Sequence, residues 1–172
     1  MTKADLNPEE FNPYYRQYIE KLQNHIQLRE GFEAGKTAII RFFEAIPEEK
    51  ANYRYASGKW SIKEVLQHLI DTERIFMYRC FCIARNDKTA LPGFDQNDYI
   101  EPSGAAAKTL PALLNEYKAV RQSFISLLES LSDAHLKHTG TASGGALSAR
   151  AAAFIILGHE RWHINIIEER YL

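Results

Sequence analysis

Near one end of the chain, His159 and His163 stand four residues apart in the run Gly158-His159-Glu160-Arg161-Trp162-His163. On a helix that spacing places two side chains about 40° apart around the axis and about 6 Å apart along it, so both rings can reach one point. Two imidazoles aimed at one point form a chelate for a metal ion. The flanking residues say which way the pair faces. At about 100° per residue, His159 and His163 share an arc with Ala149, Ala152, Ile156, Ile166 and Ile167, whereas Arg161, Asn165 and Glu168 lie opposite. The pair points inward, where an imidazole needs a hydrogen-bond partner or a metal. One core histidine bonded to a carbonyl, beside a bystander, would also fit; two at i, i+4 on a buried face favour a ligand pair. Glu160 falls on the inward side and is the candidate base or orienting carboxylate.

A third imidazole comes from the best-marked helix start in the chain. Ser61-Ile62-Lys63-Glu64 reads as a capping box, with Trp60 and Val65 placed to close a hydrophobic staple. The helix then runs to about Arg85 with Ile62, Val65, Leu66, Leu69, Phe76, Met77 and Cys80 on one stripe. His68 lies on the edge of that stripe with Thr72, Ile75 and Arg79, where a side chain reaches a neighbouring helix. Three imidazoles from two helices would leave at least one coordination position open, as a catalytic metal site requires. Glu73 sits inside the apolar stripe and needs a partner, either an Arg in an ordinary buried ion pair or an imidazole N–H. Asp71, one turn from His68, is a candidate to orient a ligand, against the plainer reading of a solvated surface acid. Arg79 is a candidate to bind a substrate carboxylate, against that of a surface Arg.

The elements that must position these groups follow from the rest of the chain. At 172 residues, with 45% hydrophobic and 25% charged residues, one domain with a real core is expected. Net charge is −1, from 21 basic and 22 acidic residues, which gives no argument for nucleic acid. Cys80 and Cys82 are the only cysteines, so a disulfide framework is excluded and a reducing cytoplasm fits. Residues 1–12 carry no apolar segment like that of a signal peptide, and no stretch approaches the roughly 20 apolar residues of a membrane span.

Residues 1–12 read as a polar tail, and 13–172 as the folded domain. A short helix is expected near Tyr14 to Leu22, then long helices over about Ile26–Ile46, 61–85, from the Thr109 cap to about Leu131, and from Ser148 nearly to the end. Asn86 to Lys108, with Pro92, Gly93, Pro102 and Gly104, reads as a long crossover between the second and third long helices, with Phe94 and Tyr99 able to cover a cleft. Ser132 to Leu147 reads as a loop, its His135 and His138 exposed. With no convincing strand, the expectation is an all-α four-helix bundle.

The blocks Lys59-Trp60-Ser61-Ile62-Lys63-Glu64-Val65-Leu66-Gln67-His68-Leu69-Ile70-Asp71-Thr72-Glu73-Arg74, Leu91-Pro92-Gly93-Phe94-Asp95 and Gly158 to His163, in this order, resemble the DinB-like (YfiT-like) superfamily of metal-dependent proteins over roughly residues 14–172. The resemblance implies a four-helix bundle holding a divalent metal, most often zinc or nickel with manganese and iron left open, through His68, His159 and His163. It further implies a small-molecule substrate, with low-molecular-weight thiols such as bacillithiol or mycothiol as cosubstrates of S-transferases and isomerases, and frequent homodimers. A thiol S-transferase or a hydrolase is thus expected, with a non-catalytic metal-binding structural or stress-related protein as the alternative. His159-Glu160-x-x-His163 also satisfies the H-E-x-x-H zinc-protease pattern. That reading stands behind, because the sequence after His163 offers no third ligand and no strand is visible to bind an extended peptide.

Overall fold

A computed structural model describes residues 1–172. Four long helices form the body: α1 (Leu28–Glu44), α2 (Ile62–Ala84), α3 (Leu110–Ser130) and α4 (Ala149–Arg170). Their starts are written in the sequence. Ser61 Oγ accepts from Glu64 N while Glu64 Oε2 accepts from Ser61 N at 2.6 Å, closing the capping box of α2. Thr109 caps α3 with Pro111 in its first turn, and Ser148 caps α4. The α2 helix packs along α4 and α3, and α1 packs along α3 and α4. No helix is long and apolar enough to cross a membrane.

The apolar stripes of these helices do not make one core. One cluster gathers Leu28, Phe32, Phe76, Cys80, Phe124 and the first turns of α4; the other gathers Ile39, Phe43, Val65, Leu66, Leu113, Tyr117, Ile164 and Ile167. Each helix passes from one cluster to the other, and at the passage each carries its unusual residues: Gly35 on α1, His68 and Glu73 on α2, Arg121 on α3, and His159, Glu160 and His163 on α4. A buried polar layer therefore crosses the middle of the bundle.

Three segments depart from the expectations. Residues 132–147 are not merely a loop: after a helical turn at Asp133–Leu136, β1 (Thr139–Ala142) and β2 (Gly145–Ser148) pair antiparallel, Thr139 opposite Ser148. Ser143 and Gly144 form the two-residue turn with φ of 51° and 75°, the backbone of a type I′ hairpin. Strands in which Leu147 is the one large residue among Gly, Ala, Ser and Thr have too little apolar alternation to show in the sequence. Residues 1–12, read as a tail, form two short 3-10 turns, and Phe11 is buried beside β2. Glu10 there accepts from Ser148 Oγ and Arg150 Nε, each at 2.7 Å. The long connection after α2 holds a helical turn at Asn97–Ile100, and Leu91 bridges to Ala142, tying it to the hairpin.

Candidate metal centre

The rings of His68, His159 and His163 converge in the polar layer, and all three residues are buried. His159 Nε2 lies 3.0 Å from His68 Nε2 and 3.0 Å from His163 Nε2, with the three ligand atoms within 4.8 Å of one another. Burial pushes His68 down to about 4 and holds His159 and His163 well below the usual histidine range, so all three are neutral at pH 7. Neutral imidazole is the ligating form.

The donor set fits a cation. One proton can be shared between two facing nitrogens, yet His159 Nε2 meets two such neighbours, so protons alone leave one of the two contacts poorly satisfied, by two donors on one lone pair or by two facing lone pairs. A positive ion answers all three nitrogens. Bonds of about 2.0–2.1 Å to zinc put adjacent nitrogens about 2.9–3.4 Å apart between octahedral and tetrahedral angles, which brackets the two 3.0 Å separations to His159. His68 Nδ1 sits 3.3 Å from the Thr72 hydroxyl, so its N–H can point outward and its Nε2 lone pair inward. His159 Nδ1 has no partner. Aromatic rings pack the imidazoles in place: Trp60 lies 4.8 Å from His68, Tyr18 5.1 Å from His159, and Trp162 4.7 Å from His163.

The other sequence candidates lie elsewhere. The Glu160 carboxylate is turned away from the imidazoles and accepts from Tyr117 Oη at 2.8 Å and from Arg121 Nη2. Glu73 is held through both oxygens by Arg121, at 2.7 and 2.9 Å, so its partner is an arginine, not an imidazole. Burial lifts the Glu160 carboxyl to about 7 against the pull of Arg121. Burial pulls the Arg121 guanidinium down, but Glu160 and Glu73 more than offset it and it stays charged. Asp71 accepts from Gln67 and Arg74 in a part-exposed polar cluster with Glu116 and does not touch His68. Arg79 is not a surface residue: it is 1% exposed and donates to the Pro92 carbonyl and Ser143 Oγ.

Sequence reasoning missed Arg121. Its signal was available, since Arg121 falls on the apolar face of α3 one turn after Tyr117, a misplaced base to match the misplaced acid Glu73.

Clefts open to the centre on two sides. One, of about 410 Å³, is lined by Asn12, Thr72, Phe76, Phe94, Ser143 and His159, among others; the second, of about 450 Å³, reaches His163 past Tyr55, Trp60, Trp162 and Tyr171. Tyr14, Tyr18, Gln96 and Asn97 line both. Burial and the neighbouring Tyr14 hydroxyl raise the Tyr18 pKa, so this phenol keeps its proton at the shared wall.

Four long helices enclosing three neutral imidazoles beneath open clefts define a helical-bundle protein with a candidate metal site in its core. The chain belongs to the DinB superfamily, whose family model matches residues 32–167. Among solved structures it is similar to YfiT from Bacillus subtilis, described as a probable metal-dependent hydrolase with an unusual four-helix bundle topology. The two share 17% identity and a TM-score of 0.74, over 86% of this chain and 89% of that one. A mycothiol-dependent maleylpyruvate isomerase shares 14% identity and a TM-score of 0.65, over 96% of this chain and 62% of that one. At these identities the likeness is one of fold. No curated protein matches the chain in sequence.

Proposed function

We propose that the protein is a divalent-metal-dependent enzyme acting on small molecules, with His68, His159 and His163 as metal ligands. The observation that carries this reading is the convergence of three buried, neutral imidazoles, two Nε2 pairs at 3.0 Å, with no carboxylate or thiol completing the set. A site with three protein ligands beside open clefts keeps a position for substrate, which a closed structural site does not. A divalent metal bound there, zinc or nickel in first place, supplies Lewis acidity that eases deprotonation of a thiol or water at neutral pH.

The chain's own residues then orient and enclose. Trp60, Tyr18 and Trp162 fix the imidazole planes and keep water from their flanks, while Asn12, Gln96 and Asn97 offer polar groups to a ligand. Two clefts meeting at one wall suit two reactants, which favours transfer to or from a low-molecular-weight thiol over simple hydrolysis. The name of the mycothiol-dependent isomerase supports the same choice of cosubstrate. The engagement of Glu160 by Tyr117 and Arg121 gives no support to a zinc-protease reading, where that carboxylate serves as general base. Its role here is to hold the start of the His159–His163 turn against α3.

Metal content by mass spectrometry on untagged protein, followed by screening of thiols with electrophiles, tests the proposal. Near-stoichiometric metal in wild type, lost in His159→Ala and His163→Ala, is expected. No metal after incubation with zinc or nickel would return the histidines to the core.

A further inference from the structure

Arg79 presents a charge that the fold does not balance. The residue is 1% exposed, and arginine is almost never so buried without an acid. No carboxylate pairs with it: Nη2 donates to the Pro92 carbonyl and to Ser143 Oγ, each at 2.8 Å, and Nη1 has no partner at all. The rings of Phe76 and Phe94 lie 4.9 and 5.8 Å from the guanidinium carbon. Asp95, the one acid lining the cleft over His159, accepts from Asn97 and is not in ion-pair contact with Arg79. As a tether for Pro92 and Ser143, a neutral amide would serve as well. A full charge buried without a counterion costs several kcal/mol, and a bound anion would offset that cost.

The position says where that anion belongs. Ser143, Phe76 and Phe94, which surround the guanidinium, line the cleft that reaches His159, while Arg79 itself lines a smaller hollow on the far side of Phe94. Phe94 is therefore the partition between the cleft and the charge. Along α2, His68 and Arg79 are eleven residues apart and about 20° apart around the axis, so they share one edge of the helix. Their Cα atoms are about 16 Å apart along it. Ser143, whose hydroxyl accepts from Arg79, is held at φ 51° in the hairpin turn, a backbone state that few non-glycine residues adopt.

We propose that Arg79 is the anion-binding residue of the cleft: it takes the single carboxylate of an elongated small molecule whose other end lies at the three imidazoles, once the Phe94 ring moves aside. A lone guanidinium with one free edge matches one negative charge and a forked acceptor, which a carboxylate supplies. The inference rests on the small-molecule reading of the same cleft, but its test does not depend on turnover.

Octanoate and the uncharged 1-octanol of the same carbon number are titrated by calorimetry into the full chain, metal-free and after zinc loading, with metal content measured in both. Wild type is expected to bind octanoate at least about tenfold more tightly than octanol, with amide NMR shifts at Ser143 and Phe94. The preference should vanish in Arg79→Met and shrink in Arg79→Lys, which keeps the charge and loses the fork. Equal binding of the two probes in metal-free wild type, or no binding of either, overturns the assignment, as does a preference that survives in metal-free Arg79→Met, where no metal is present to hold the carboxylate. Should Arg79→Met fail to fold, an Arg79→Lys variant with unaltered octanoate affinity is the overturning result. Failure of the metal reading appears separately, as absence of bound metal beside an intact octanoate preference.

Discussion

At the scale of single residues, the centre depends on atoms that cannot be exchanged for near equivalents. Each imidazole is one of three ligands, so His68→Ala should weaken zinc binding by more than the 10–100-fold typical of losing a group that only orients a ligand, measured by competition with a chelator. Unchanged affinity would remove α2 from the site and leave only the α4 pair. Gly158 is the second irreplaceable residue: a Cβ there would lie 2.2 Å from the Tyr18 carbonyl oxygen and 2.5 Å from its carbon. Because backbone cannot swing aside as a side chain does, Gly158→Ala should cost about 3 kcal/mol or more in a denaturant melt. It should also lower metal affinity, since Tyr18 packs on His159. The histidine pair was legible because i, i+4 spacing and the apolar arc are local facts. Arg79 was legible as a candidate carboxylate binder on the His68 edge, but its burial was not, because the residues that cover it, Phe94 and the hairpin's Ser143, lie outside α2. Asp71 stood in the sequence as a candidate to orient His68 against the plainer reading of a solvated acid, and its partners Gln67 and Arg74 show where its charge goes.

At the scale of elements, the four helices have a division of labour that no helix shows alone. Between two apolar clusters, α3 contributes Arg121 and Tyr117, α2 contributes Glu73, and α4 contributes Glu160, so three helices are joined by one guanidinium. The α1 helix contributes a gap: a Cβ at Gly35 would meet Arg121 Nη1 at 3.3 Å and Glu160 Oε2 at 3.6 Å. Removing the base leaves two buried carboxylates facing each other. Arg121→Met should therefore destabilise by about 3–5 kcal/mol, whereas the double change Glu73→Gln with Arg121→Met should recover part of the loss. Additivity of the single changes in a double-mutant cycle would show that the cluster is not coupled. Helix starts were readable from Ser61, Thr109 and Ser148 because capping is decided within four residues. The hairpin was not, since its mostly small side chains show little apolar alternation and its outer contacts, Leu91 with Ala142 and Phe11 with Leu147, come from distant segments.

At the scale of the whole molecule, the first residues close the structure that the last helix begins. The Glu10 carboxylate meets Ser148 and Arg150 at the first turn of α4, where the helix dipole also favours an anion. Phe11 is buried beside β2, and Asn12 lies on the wall of the cleft over His159, so the N-terminal segment links the start of α4 to the rim of the candidate site. Burial opposes ionisation of Glu10, but Arg150 and Ser148 outweigh it and hold the carboxyl below its ordinary 4.5. For a carboxylate whose folded pKa is depressed, the stabilisation is complete above the unfolded value and is lost as pH falls through the folded one. Glu10→Gln should thus lower stability by about 1–2 kcal/mol at neutral pH, a fall of roughly 2–8 °C in Tm. The gap between wild type and variant should hold constant while the pH stays well above the ordinary 4.5 and close as the pH falls below it through the depressed folded value. Because the same segment carries Asn12, the variant should also bind cleft ligands more weakly at neutral pH, by a small factor that disappears with the stability gap in acid. A gap in Tm that persists unchanged to pH 3 would mean that Glu10 acts through packing alone, and that its charge has no part in fastening the N-terminal segment to α4.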